Sequence, residues 1–323
     1  MLDRRKFLLG AVPVLMGAAR EPATVMTAAD AHVDGYPTVQ AVRWIGEKLS
    51  QETAGRLGIR VFHSGQLGRE GDTVDLVRHD VIDLTRVNFA PLNNAFPATR
   101  VAALPYVFDS TMHMRRAMDG APGREILRRF GERDLVGLCI YDSGIRSFYN
   151  VRRAVHEPGD LHGLKIRVPP SDIFIQFCRV LGANPTPLPF GEVYSALQTR
   201  LIDGAENNIR SFHSTRQFEV ARHWSETRHS HSPEALLISR QRLERMPARD
   251  RQLLLDIATE SVEYMRILWD KAEADSRAAV SAAGVQINEV NERAFRAAAE
   301  PFVRAWLRDP ADVELLRSIR RLA

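Results

Sequence analysis

Between residues 23 and 88 the chain switches repeatedly between segments built to lie flat and segments built to coil, and this alternation limits its fold more than any other feature. ATVMTAADAH (23–32) is a run of small and apolar residues that reads as a buried strand. Val39, Val42, Ile45 and Leu49 then recur at steps of three and four, the spacing of an amphipathic helix, which Gly55 and Gly58 close. IRVFHSG (59–65) is a second strand, followed by a glycine-containing loop and a helix around residues 72–79, and VIDLTRVN (81–88) is a third. Strand, helix, strand, helix, strand in that order predicts a parallel sheet with right-handed crossovers. FPATRVAALPYVFDS (96–110) is a proline-punctuated connection that holds a buried strand-like run.

The pattern returns in the middle of the chain. DLVGLCIYDSG (134–144) and GLKIRVP (163–169) read as strands, DIFIQFCRVLG (172–182) as a helix, residues 183–189 as a loop with a short strand, and residues 191–207 as a helix ending near another strand. From residue 247 to 283 the helical spacing is almost uninterrupted, with Pro247 at its start and Gly284 at its end, the usual asymmetry of helix caps. At about 1.5 Å per residue such a helix outruns one small domain. Residues 291–306 add a C-terminal helix. With 323 residues the chain can bury two cores. The expected architecture is therefore α/β: two lobes of mostly parallel sheet with helices on both faces, a cleft between them, and a long helix spanning both. Residues 21–144 with 233–270 are assigned to one lobe, and 145–232 with 271–323 to the other.

Charge excludes one class of partner. The pI of about 9.3 invites a nucleic-acid reading. Yet Arg4, Arg5, Lys6 and Arg20 against Asp3 supply three of the four net positive charges, so the rest of the chain is near neutral and nucleic acid is excluded. MLDRRKFLLGAVPVLMGAA has a basic start, a short apolar run and small residues at its end, the build of an export signal rather than a membrane span, assigned to residues 1–20. RRKFL resembles a twin-arginine signal, with Asp3 where serine or threonine is more usual. Cys139 and Cys178 stand in no metal-binding or CxxC spacing and are expected to be buried small hydrophobes.

Ligands of parallel α/β sheets sit beyond the carboxyl ends of the strands. There the chain places Asp30, His32, Asp34 and Tyr36, then Glu70 and Asp72, then Arg86 and Asn88, then Arg146, Arg167, and the run Glu206, Asn207, Asn208. GLKIRVPP (163–170) is the sharpest case: Lys165 to Val168 alternate charged and apolar residues, and two prolines end the ladder just beyond Arg167. Most strand arginines face water, so Arg167 is either a solvated edge charge or a fixed cation for an anion. Glu70 and Asp72 have a second reading as helix-capping acids, and Asn207 and Asn208 as turn residues. No glycine-rich phosphate loop, GxSxG elbow or HExxH pair is present, which argues against an enzyme. His223, His229 and His231 suggest a metal cluster but lack a further ligand at useful spacing, so neither metal nor cofactor is expected.

PFGEVYSALQTRLIDGAEN (189–207), GLKIRVP (163–169), SGQLGRE (64–70) and SGIRSFYN (143–150) together resemble the solute-binding subunits of tripartite ATP-independent periplasmic (TRAP) transporters, the DctP-like family. The resemblance runs from about residue 22 to 306, with one departure, Arg200, where the family usually has glycine. It implies a two-lobed periplasmic binding protein that closes on an organic acid and delivers it to membrane permease subunits. It further implies that Arg167 clamps the carboxylate through a bidentate fork that lysine cannot reproduce. By the same resemblance Arg146 is a second contact, Asn207 hydrogen-bonds the carboxylate region, Phe190 packs on the ligand, and Asn88 and Glu70 are polar contacts of the first lobe. Residues 29–42, 86–94, 141–150 and 203–211 look like the group that binds the hexuronates glucuronate and galacturonate. His32, Asp34, Glu70, Arg86, Asn88, Asn207 and Asn208 would then supply mixed partners for sugar hydroxyls, and the acids among them would repel a second carboxylate. A four-carbon dicarboxylate or another small acid, a periplasmic enzyme using His32 or His231 as base, and a ligand-sensing module are the alternatives.

Overall fold

The computed structural model describes residues 24–323; the export signal assigned to residues 1–20 lies outside them. Eleven strands form two sheets: β1 (Thr24–Asp30), β2 (Leu57–Phe62), β3 (Leu84–Asn88), β4 (Leu135–Tyr141), β5 (Arg146–Asn150), β6 (Lys165–Val168), β7 (Asn184–Pro187), β8 (Gly204–Asn208), β9 (His223–Ser230), β10 (Glu234–Ser239) and β11 (Gln286–Asn288). The first sheet has the order β2-β1-β3-β10-β4 and the second β11-β9-β5-β8-β6-β7. β1, β2 and β3 are parallel and joined by the helices Pro37–Glu52 and Glu70–Arg78, as their alternation predicts.

The sheets are less uniformly parallel than the alternation suggests. β10 runs antiparallel between β3 and β4, and β5 runs antiparallel between β8 and β9. Both strands arrive by crossing from the other sheet, through residues 142–145 after β4 and residues 231–233 after β9. Each comes from the other sheet and not through a helix of its own sheet, so no right-handed βαβ crossover fixes its direction as parallel. Gly144 permits the first crossing: its φ is +65°, and a Cβ there would stand 2.8 Å from the Trp269 ring.

Two other expectations change. Residues 96–110 hold no strand; Pro97–Thr99 and Arg100–Ala103 are helical turns, because Pro97 occupies a first helical position and offers no ladder donor. The helix expected over 191–207 stops at Gln198, and Arg200, at φ +62°, turns the chain toward β8.

The long helix runs Ala248–Ala282, at about 1.5 Å per residue close to the expected span. It packs on Pro37–Glu52 and β4 beside the first sheet and on Ile209–Ser214 beside the second. The final helix, Pro310–Arg320, packs on Arg100–Ala103 and Ala121–Arg129, although the sequence division gave residues 310–320 to the second lobe. Cys139 and Cys178 are buried and unpaired, and burial pushes the Cys139 thiol up to about 12. Among the described residues no helix is long and apolar enough to cross a membrane.

Candidate functional site

The two crossings bring the ends of β1, β3 and the start of β10 opposite β5, β6 and β8, and the space between is a cavity of about 330 Å³. Past Glu70, Arg167 and Phe190 it opens into a larger cleft of about 1280 Å³.

The wall formed by the first sheet is built on one arginine. Arg86, on β3, is almost wholly buried and pairs with Asp30 at the end of β1. Its Nη1 also donates to Glu70 Oε1 at 3.1 Å and lies 3.2 Å from Glu234 Oε2. Glu70 begins the helix Glu70–Arg78 and accepts a hydrogen bond from the Asn88 backbone N–H at 3.0 Å. Glu234 Oε1 accepts from the Ser143 hydroxyl at 2.9 Å and lies 3.4 Å from His32 Nε2. Burial alone would raise the Glu234 carboxyl; the charge of Arg86, with His32 and Ser143, holds it at about 2. Asn88 caps the turn Phe89–Leu92 through its Oδ1 and donates from Nδ2 to the Ser232 carbonyl, tying this wall to the second crossing.

The opposite wall carries two arginines in different states. Arg146 meets Glu206 in a fork, Nε to Oε2 at 2.6 Å and Nη2 to Oε1 at 2.8 Å, while Nη1 donates to Asn207 Oδ1 at 3.1 Å and the guanidinium lies over Phe174. Burial opposes its charge, but Glu206 outweighs burial and its pKa is raised. Arg167 is just as buried, yet its hydrogen bonds run only to the Leu188 carbonyl, from Nε at 2.9 Å and Nη2 at 2.7 Å, and among the described residues it forms no ion pair. Burial therefore pulls its pKa down to about 10, which leaves it a cation at neutral pH. A buried guanidinium with its Nη1 face uncommitted can take up a carboxylate.

Of the ten residues that the resemblance and the sugar-acid reading assign to the ligand, eight line this cavity: His32, Glu70, Asn88, Arg146, Arg167, Phe190, Asn207 and Asn208. Phe190 reaches across from the second sheet's side and stands edge-on to His32 at 5.0 Å, while His32 stacks on Tyr36. Asn208 lines the cavity and also caps Ile209–Ser214, a helix start where the sequence offered a turn. Two expectations fail. Asp34 is exposed and paired with Arg43, because Gly35 turns the loop outward before the next helix. Arg86 lies beneath the wall, where its three carboxylates use its donors.

Glu234, Ser143 and Ser211 line the cavity and were not among the ten. The histidines of residues 223–231 do not assemble: His229 Nε2 faces Glu206 at 3.2 Å, and His231 stands edge-on to Phe108. Among the described residues no group of three His, Cys, Asp or Glu side chains could hold a metal ion.

Two α/β lobes around a polar cavity that holds an uncommitted buried cation are the build of a small-molecule binding site. The chain belongs to the DctP family, the bacterial extracellular solute-binding proteins of family 7, whose model matches residues 28–309. Members of this family are extracytoplasmic. A curated solute-binding protein of Chromohalobacter salexigens is 34% identical over 286 residues, 88% of this chain and 85% of its own length. A TRAP periplasmic solute-binding protein from Bradyrhizobium sp. BTAi1, solved with α/β-D-galacturonate, is 43% identical with a TM-score of 0.90, over 92% of this chain and all of that one. Another from Roseobacter denitrificans, solved with β-D-glucuronate, is 37% identical with a TM-score of 0.88, over 92% of this chain and 99% of that one.

Proposed function

We propose that this protein is the extracytoplasmic receptor of a TRAP transporter and that its ligand is a hexuronate, D-glucuronate or D-galacturonate. The observation that carries the reading is Arg167, a buried cation without an acid partner among the described residues, at the edge of a cavity that also presents hydroxyls, carboxamides and carboxylates. A sugar acid brings one carboxylate for that cation and several hydroxyls for the rest. The likeness to proteins solved with galacturonate and glucuronate supports the same ligand class.

In this reading Arg167 takes both carboxylate oxygens, and each charge-assisted bond contributes roughly 1.5–3 kcal/mol. Arg146, already held by Glu206, acts as a scaffold that orients Asn207 and lends its remaining field to the carboxylate. Phe190 packs on the sugar face, and His32, Glu70, Asn88 and Asn208 meet its hydroxyls. The two lobes close about the crossings at 142–145 and 231–233. The exposed pair Arg69–Glu192, 2.7 Å apart, joins the two lobes at the mouth. The chain is exported by a twin-arginine-like signal, binds without turnover, and hands its ligand to membrane permease subunits.

The test is a thermal-shift and calorimetric comparison of glucuronate, galacturonate, glucose and succinate. Ligand at a hundred times its Kd adds about 2.7 kcal/mol. A shift with uronates and none with glucose supports the reading, whereas a shift with succinate alone moves the ligand to a four-carbon dicarboxylate. Recovery of unchanged uronate by NMR after incubation separates binding from catalysis.

A further inference from the structure

The two walls of the cavity differ in charge. On the first, Arg86 stands among Asp30, Glu70 and Glu234, an excess of two formal negative charges. On the second, Arg146 and Glu206 cancel and Arg167 leaves one positive charge. Glu234 is the member of the negative wall that is both buried and on the cavity. Its Oε1 accepts from Ser143, and its Oε2 is buried from solvent 3.2 Å from Arg86 Nη1, so the carboxylate is fixed in place. The groups facing it are His32, Asn88 and Ser143, together with Arg86 from below. It is a fixed negative charge across the cavity from a fixed cation.

We infer that Glu234 is the residue by which this receptor accepts a sugar acid with one carboxylate and rejects the doubly oxidised acid of the same carbon skeleton. The inference rests on the hexuronate reading. A hexuronate carries one carboxylate, at one end of its carbon chain, and hydroxyls elsewhere. With the carboxylate on Arg167, the far end of the molecule brings hydroxyls and no charge to the wall that holds Glu234. In the corresponding aldarate that far end is a second carboxylate, which has no proton to donate and meets two like charges, Glu234 and Glu70, in a site where water screens them poorly. A neutral sugar fails at the other wall, because nothing neutralises Arg167. One site thus reads both ends of the ligand by sign.

The test is isothermal titration of the full chain with D-galacturonate and with galactarate, for the wild type, Glu234→Gln and Glu70→Gln. The wild type is expected to prefer galacturonate at least a hundredfold. Glu234→Gln narrows that preference tenfold or more, chiefly by gaining galactarate affinity. Glu234 also neutralises Arg86, so a melting curve accompanies each variant; Glu70→Gln, at the more open edge of the wall, supplies a second narrowing in the same direction. Galactarate bound within tenfold of galacturonate by the wild type overturns this inference and leaves the hexuronate reading standing. So does a preference unchanged in every variant that folds. A wild-type protein that binds no uronate overturns both.

Discussion

Arg86 and Arg167 are both buried, both on strands of the sheets that face the cavity, and opposite in circumstance. Arg86 has three carboxylates around one guanidinium, and its pKa is raised because Asp30, Glu234 and Glu70 together overcome burial. Arg167 has one backbone carbonyl, and burial leaves its charge uncompensated. The first arginine serves the fold. In the function proposed above, the second costs the fold stability until a ligand carboxylate arrives. The number of acids already around a buried cation, more than its position on a sheet, tells which arginine is available for binding.

That contrast can be broken by paired substitutions. Arg167→Ala is expected to abolish measurable uronate binding in calorimetry, a loss of a hundredfold or more, while the melting temperature without ligand stays level or rises, since an unpaired buried charge has been removed. Arg86→Ala is expected to do the reverse in kind. It strands three buried carboxylates and lowers stability by about 3–5 kcal/mol, which denaturant unfolding would read directly. If Arg167→Ala melts the protein as severely as Arg86→Ala, the two arginines are not different in role.

Arg167→Lys sharpens the same point with a smaller effect. The charge survives but the bidentate fork is lost, so affinity falls by roughly the contribution of one charge-assisted bond, about 1.5–3 kcal/mol or ten- to a hundredfold. Full retention of affinity in titration would mean that Arg167 acts as a point charge only. Acid titration tests the Arg86 wall. The Glu234 carboxyl is held at about 2, below its unfolded value near 4.5, so its stabilising share is intact above pH 4.5 and lost as pH falls from there toward 2. His231 has the same slope at higher pH: burial pulls its pKa to about 4, so protonation of the unfolded chain costs stability between pH 6.5 and about 4. Glu234→Gln should flatten the lower window and leave the upper one unchanged, which melting temperatures measured from pH 7 to 3 would register.

Much of this arrangement was legible in the sequence, for identifiable reasons. The three parallel strands of the first sheet and the long helix Ala248–Ala282 have uninterrupted periodicity and clear caps, and both were located to within a few residues. Arg167 stood out because its strand alternates and ends in prolines. Glu234 did not, because all six residues of β10 are buried, and a strand covered on both faces shows no alternation. Its direction was equally hidden, since nothing in a residue pattern distinguishes a strand that crosses from another sheet from one that follows a helix. Arg86 and Asn88 share one face of β3, and periodicity could not tell that only Asn88 reaches the cavity. Asp34 was read as a wall residue because its neighbours are, but a single glycine turned it away.

The smallest expected effect lies away from both arginines, at Arg200. There the family resemblance expects glycine, and the backbone has the left-handed geometry that glycine tolerates best, φ +62° just beyond Val193–Gln198. An L-residue in that conformation costs about 1–2 kcal/mol. Glycine removes the strain but adds about 0.5–1 kcal/mol of unfolded-state entropy. The net gain for Arg200→Gly is therefore about 0–1.5 kcal/mol, a rise in melting temperature of about 2 °C or less for a chain this long. Uronate affinity should not change, because Arg200 is exposed and does not line the cavity. A change in affinity without a change in melting temperature would mean that the turn after Gln198 sets the position of Phe190 or Asn207. The division drawn between Arg86 and Arg167 would then have to include backbone geometry alongside charge.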